Sequence, residues 1–356
     1  MASIDFPLLR WLIDNSDVEF NLASSSMEKK HLRDICEMED DIGLDVDFDI
    51  NHALTKKVES INPTGTRALI TSGAQSANSL ICSMLGKGNI TVEIPTYQPL
   101  YTSPDIQGME VHYLKRTYDK RFKIDVDDLE SCFDQKTRAL LITNPHNPSG
   151  VYMTNEELKP AQEFLEDKGA YLIVDEIYRD FIEESEPATE LGENVLVTTS
   201  LSKVYGLGGL RSGWITSKNE EALQELAGIK DQMHPFNSTL SEIVASRALE
   251  MRDALLSSAR KRAETNLSMV KGWISAEDKI EWVEPSMGII SFPKLKDIDG
   301  TEFAERAYKE GVLVAPGEYF SPGGEFKDHV RLTFRIEPSS LAKGLQILSS
   351  AVKRWS

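Results

Sequence analysis

Between residues 67 and 199 five short apolar runs recur: RALIT (67–71), ITVEI (90–94), RALLIT (138–143), AYLIV (170–174) and NVLVTT (194–199). The stretches between them, such as AQSANSLICSML (74–85) and NEELKPAQEFLEDKG (155–169), repeat their apolar positions at helical spacing. Runs that are apolar on both faces and spaced by helices predict a buried, mostly parallel sheet covered by those helices. The fold class expected is therefore α/β over roughly residues 55–230.

A helical stretch follows over about 239–274. It opens on Thr239-Leu240-Ser241-Glu242, which has the form of a capping box, and continues with Leu240, Ile243, Val244, Leu249, Leu255 and Leu256 at helical spacing. From about 275 the pattern changes. IEWVEP, MGIISFP, GVLVAPG and HVRLTFRIEP read as short strands, with helices near 301–310 and 338–353, which predicts a smaller α+β unit. A length of 356 residues suits two such units.

Composition excludes several functions. A formal net charge of −18 argues against a nucleic-acid surface and against anchoring on anionic lipid, although a local arginine cluster could still hold an anion. No apolar run is long enough to span a bilayer, and the start, MASIDFPLLRWLIDNSD, lacks the basic region and cleavage site of a signal peptide. Cys36, Cys82 and Cys132 are few, odd in number and far apart. They form neither a zinc pattern nor a disulfide framework, so no metal site and a cytoplasmic setting are expected. The acidic run DICEMEDDIGLDVDFD (34–49) reads as solvated surface.

The polar residues with chemical potential fall at strand exits. LLIT leads into NPHNPSG, YLIV into DEIY, LVTT into SLSK, and TVEI into PTY. Sites in open parallel sheets form outside the carboxyl ends of the strands, so Asn144, Asn147, Asp175, Tyr178, Ser200, Lys203 and Tyr97 are expected on one rim. A fifth run, ALIT, delivers SGAQSAN, a small-residue turn opening a helix, whose backbone N–H groups suit a phosphate. The glycine-rich TSLSKVYGLGGLRSGW (199–214) is not a dinucleotide fingerprint, because Arg211 stands where the third glycine belongs. It is not a P-loop either, since its lysine precedes the glycines.

NPHNPSG, VDEIYRDF and SLSKVYGLGGLRSGW together resemble the aspartate aminotransferase family, fold-type I enzymes that use pyridoxal 5′-phosphate; the resemblance runs from about residue 60 to the end. It implies a large domain with a mostly parallel seven-stranded sheet over 31–270, a small domain over 271–356, and an N-terminal segment, 1–30, that joins the small domain and the substrate pocket. It implies that Lys203 forms the internal aldimine and later moves a proton between Cα and the cofactor's C4′. Arg211, Ser200 and Ser202 would hold the phosphate with the backbone amides of Gly73, Ala74 and Gln75. Asp175 would pair with the pyridine nitrogen, Asn147 and Tyr178 with the 3′-oxygen, and Tyr97 would stack on the ring. Arg331 would grip the substrate α-carboxylate, with Asn147 and the backbone at Ala23 beside it. Asn144 is read as structural, Arg335 as a surface or helix-side residue, and the glycines near Lys203 as close-packing room around the cofactor.

The departures concern the substrate. No tyrosine precedes Tyr97, so the family's phosphate contact from the neighbouring subunit is absent or replaced. INHALTKK lacks the family's glycine and arginine, and FNLASSSM carries serines in place of a glycine. The expected activity is transfer of an amino group from an L-amino acid to a 2-oxo acid through pyridoxamine phosphate, in a homodimer. A carbon–sulfur β-lyase or a cyclase on the same scaffold stays open. A cofactor-binding regulatory module ranks lower, as there is no room for a DNA-binding domain and no basic face.

Overall fold

A computed structural model describes residues 5–36, 43 and 45–354. Part of the acidic run, residues 37–42 and 44, lies outside them. Seven strands form the central sheet: β1 (Arg67–Thr71), β2 (Asn89–Ile94), β3 (Glu110–Lys115), β4 (Thr137–Thr143), β5 (Tyr171–Asp175), β6 (Val195–Ser200) and β7 (Gly213–Ser217). Their spatial order is β1-β7-β6-β5-β4-β2-β3, and all pairs are parallel except those made by β7.

Side-chain alternation explains why these runs are apolar throughout. Leu141, Ile173, Leu196 and Ile215 enter one core with Ala77, Leu80 and Ile81 of the Ala74–Leu85 helix. Leu140, Ile142, Leu172, Val174, Val195 and Val197 point the other way, against Leu158, Ala161 and Leu165 of the Asn155–Asp167 helix. Both faces are dry, so apolar residues fill both parities of the strands. The second helix begins where its sequence says it should, with Thr154 and Glu157 closing a reciprocal capping box.

Two helix expectations require correction. The stretch over 239–274 is two helices, Thr239–Glu250 and Arg252–Ser275, broken at Met251. The break puts Arg252 at a helix start, where its Nη2 donates to Asp180 Oδ1 at 2.9 Å. Nor does Thr239 cap the first of them. Ser238 accepts from Ser241 N at 3.4 Å, Thr239 donates its hydroxyl to the Asp45 carbonyl, and Glu242 accepts from Asn51 and Asn237. The Ser-Thr pair offers two hydroxyls for one cap, and only the tertiary contacts select between them.

Beyond residue 279 the strands are short. Val330–Thr333 lies between Ile290–Ser291 and Ala315–Pro316, antiparallel to both, with the Gly300–Lys309 and Pro338–Lys353 helices packed beside it. The N-terminal segment joins this unit: Phe20–Asn21 pairs parallel with Val312–Leu313, and Phe20 and Leu22 enter the same core. From there the chain crosses to the large sheet, where Met27 N donates to the Lys203 carbonyl at 2.8 Å. Gly206 makes that crossing possible, because a Cβ on it would lie 2.4 Å from the Glu28 carbonyl oxygen. This glycine therefore gives room to another stretch of backbone, where the resemblance implied room around the cofactor.

A buried ion pair braces the carboxyl ends of the sheet. Arg116 Nη1 donates to Glu93 Oε2 at 2.6 Å, with both side chains sealed from solvent. Removing one member of such a pair strands the other charge, typically at a cost of about 3–5 kcal/mol, whereas replacing both costs less. Arg116→Leu should thus lower the apparent melting temperature sharply, and adding Glu93→Leu should recover part of the loss. A double variant less stable than the single one would show that the pair contributes through packing instead.

Candidate active site

A cavity with about 730 Å³ of empty space, part of it open to solvent, lies outside the carboxyl ends of β1, β2 and β4–β6. Ala74, Gln75, Tyr97, Asn147, Asp175, Tyr178, Ser200, Ser202, Lys203 and Arg211 all line it. These residues come from five separate strand exits, which is why no single motif could show the site.

One end is built for an anion. The Ala74–Leu85 helix starts there, and Gly73 precedes it at φ 94°, a left-handed conformation that suits glycine. A Cβ at Gly73 would stand 2.7 Å from Arg211 Nη2, so glycine is what lets the guanidinium approach the helix start. Arg211, itself at φ 51°, is held by its Nη2 on the Ser72 carbonyl at 3.3 Å and its Nη1 on the Gly208 carbonyl at 3.2 Å. A helix N-terminus, a guanidinium and the hydroxyls of Ser200 and Ser202 converge on one place.

At the cavity floor Asp175 is buried, its Oδ2 accepting from Asn78 Nδ2 at 3.0 Å and its Oδ1 from Ile177 N at 3.1 Å. Burial pushes its carboxyl up to about 6, against the pull of those donors and of Lys203. Lys203 Nζ donates to Ser25 Oγ at 3.2 Å. Burial and the Arg331 and Arg211 guanidinium groups bring this amine down to about 8, with Asp175 opposing them. Tyr178 donates its hydroxyl to the Ser25 carbonyl at 3.0 Å, and burial raises it to about 12, so it remains a phenol. Tyr97 meets Phe6 edge-to-face with ring centroids 5.6 Å apart.

Arg331 approaches from Val330–Thr333, sealed from solvent. Its Nη1 donates to Asn147 Oδ1 at 3.2 Å and its Nη2 to the Ala23 carbonyl at 2.7 Å; its guanidinium carbon lies 4.9 Å from the Phe320 ring centroid. Nε is buried and has no hydrogen-bond partner, which leaves donor capacity on this cation. Asn144 lies apart in role: its side chain exchanges two hydrogen bonds with the Met153 backbone and pins the loop. Arg335, read as a surface or helix-side residue, is half-buried past the end of that strand, beside Ser24, Ser26 and Gly206.

Three contributors escaped sequence reading. Ser25 bonds both Lys203 and Tyr178, yet its serine run carried no signal of that. Thr143 accepts from Asn147 N at 2.9 Å and donates to Glu93. Asn78 did leave a trace, as a polar residue in the apolar stripe of Ala74, Ala77, Ile81 and Leu85.

The donor set fits pyridoxal 5′-phosphate. Gly73, Ala74, Gln75, Ser200, Ser202 and Arg211 would hold the phosphate, Asp175 the ring nitrogen, Asn147 and Tyr178 the 3′-oxygen, and Lys203 the aldehyde carbon. Comparison with known proteins leads to the same cofactor. The aminotransferase class I and II family model matches residues 45–348. Capreomycidine synthase of Streptomyces vinaceus is 30% identical over 266 residues, 73% of this chain and 67% of that one. Histidinol-phosphate aminotransferase 1 of Bacillus cereus is 30% identical over 297 residues, 80% of this chain and 74% of its own. A PLP-dependent aminotransferase from Streptococcus suis superposes with a TM-score of 0.92 at 28% identity, over 100% of this chain and 99% of that one.

With Lys203 near 8, its neutral fraction rises about tenfold per pH unit below that value and levels off above it. The rate at which cofactor-free protein bonds covalently to pyridoxal 5′-phosphate should follow this curve in stopped-flow absorbance. Arg331→Ala removes one of the depressing cations and should move the midpoint to higher pH. An unmoved midpoint would leave burial and Arg211 as the causes.

Proposed function

The chain belongs to the aminotransferase class I and II family, with pyridoxal 5′-phosphate as its cofactor, and from that premise we propose that it transfers the amino group of an L-amino acid to a 2-oxo acid. The observation that carries this reading is that the Lys203 amine and the buried Asp175 carboxylate line one cavity with Asn147, whose Oδ1 accepts from the buried Arg331. Bound there, the cofactor supplies an electron-withdrawing ring that makes loss of the Cα proton accessible.

The protein's own residues do the rest. Arg331 and Asn147 take the substrate α-carboxylate, and the planar guanidinium fixes how Cα faces the ring. Lys203, neutral in about a tenth of molecules at pH 7 and about half at pH 8, takes the proton from Cα and returns it to the cofactor's C4′. Asp175, ionised above about 6, keeps the ring nitrogen protonated. The segment at Ala23–Ser25 accepts from Arg331 through the Ala23 carbonyl and from Lys203 through the Ser25 hydroxyl, and so holds both side chains in place.

As part of the same reading we divide the chain into a cofactor-binding unit over 31–270 and a smaller unit over 271–356, joined by residues 1–30. The setting we infer is the cytoplasm; no helix among the described residues is long and apolar enough to cross a membrane. A second reaction type with the same cofactor, a synthase chemistry such as ring closure, draws support from the 30% identity to capreomycidine synthase; carbon–sulfur cleavage rests on the shared scaffold alone.

A panel of L-amino acids offered to the holoenzyme without acceptor separates these readings. Transamination predicts up to one 2-oxo acid per site and a matching change in cofactor absorbance. Release of ammonia, or of a cyclic amino acid, without that change would favour the second reading. Lys203→Ala should abolish the half-reaction, with a loss of at least about 10³-fold. Arg331→Ala should raise the amino-acid concentration for half-saturation about 10–100-fold while the cofactor stays bound.

We also read the protein as a homodimer. Phe48 and Phe236, 69% and 51% exposed, pack edge-to-face with centroids 5.7 Å apart, and Met233 and Leu240, in the helices on either side of the segment that holds Phe236, are exposed too. Two large aromatics left in water are a natural seat for a second copy. Phe236→Glu should shift sedimentation from dimer to monomer at micromolar concentration; a wild-type monomer would refute the assignment.

A further inference from the structure

Asn78 is the buried polar residue at the site that the reaction as described leaves without a task. Its helix face otherwise carries Ala74, Ala77, Ile81 and Leu85, and a leucine would satisfy the packing there. A buried amide costs free energy unless both of its ends are bonded. Here both are. Nδ2 donates to Asp175 Oδ2 at 3.0 Å, and Oδ1 accepts from Thr198 Oγ1 at 2.9 Å.

The polarity of this chain is forced. An ionised Asp175 is acceptor-only, so Asn78 must turn its NH₂ towards it, and the Thr198 hydroxyl must then be the donor to Oδ1. Thr198 is fully buried and in register with Asp175 across β5 and β6, so it cannot move away. Helix and two strands thereby fix one carboxylate, and the Ile177 N–H holds its other oxygen.

We propose that Asn78, locked by Thr198, is a positioning residue that orients Asp175 and keeps it ionised towards the cofactor's ring nitrogen. This rests on Asp175 being the partner of that nitrogen. The Asn78 donor stabilises the carboxylate, whereas burial and Glu93, near the end of β2, favour the acid form. Lys203 assists ionisation. Glu176, next in the chain, Tyr97 and Tyr178 complete the titratable groups that sense Asp175. Loss of the Asn78 donor therefore moves Asp175 towards its neutral form at a pH where the enzyme needs it charged.

The test uses cofactor-free protein and pyridoxamine 5′-phosphate, which cannot bond covalently to Lys203, titrated calorimetrically between pH 5 and 8. Asp175→Ala supplies the background from the ligand's own ionisation. In the wild type, the affinity owed to Asp175 falls as pH drops through about 6. Asn78→Leu should move that fall to higher pH and weaken binding about tenfold at pH 7. Thr198→Val should move it the same way by less, and carries the test if Asn78→Leu does not fold. The acid limb of kcat/KM should shift in parallel. A midpoint unmoved in the folded variants, with or without a uniform loss of affinity, would overturn the proposal. If Asp175→Ala itself binds like wild type, the assignment of Asp175 fails instead.

Discussion

The Arg116–Glu93 ion pair is the contact on which the site's geometry rests. Glu93 stands one residue before the end of β2 and Arg116 follows β3, so the pair ties the sheet edge at the end where the cavity opens. Its influence reaches further through neutral groups. Glu93 Oε1 accepts from the Thr143 amide and hydroxyl, Thr143 Oγ1 accepts from Asn147 N, and Asn147 Oδ1 accepts from Arg331. A continuous line of buried hydrogen bonds thus runs from one guanidinium to another. Such a line is favourable only when every member is satisfied, which makes its geometry narrow.

Around it the electrostatics are set by opposing charges under cover. Asp175 is pushed towards its neutral form by burial and Lys203 is pushed towards its neutral form by burial, while each pulls the other back. Arg331 and Arg211 tip the balance for the amine. Between about 6 and about 8 the carboxylate is largely charged and the amine is increasingly neutral as pH rises. That is the range in which a ring proton and a Cα base are wanted together.

Much of this was legible in the chain. RALIT is a strand with the same limits, AQSANSLICSML is a helix with the same limits, and the other four apolar runs fall within a residue of their strands. Periodicity works here because both faces of the sheet are dry and both helix stripes face it. The strand Glu110–Lys115 gave no such signal, because EVHYLK lies at the sheet edge and mixes polar with apolar positions. The break at Met251 leaves no sign in the sequence, because no glycine or proline marks it. Ser25 and Thr143 were invisible as partners because nothing in a serine run or a strand-end threonine tells which distant group it will meet.

The sequence by itself determined the fold class and the identity of the chemical groups. Apolar periodicity is a local property, and the residues with chemistry follow the strand ends directly. The tertiary structure decided what those groups can do. Lys203 meets Ser25 across 178 positions, and Arg331 meets Ala23 across 308. The acidity of an amine and the aim of a guanidinium depend on burial and on neighbours at such separations, and neither exists until the chain has closed over the cavity.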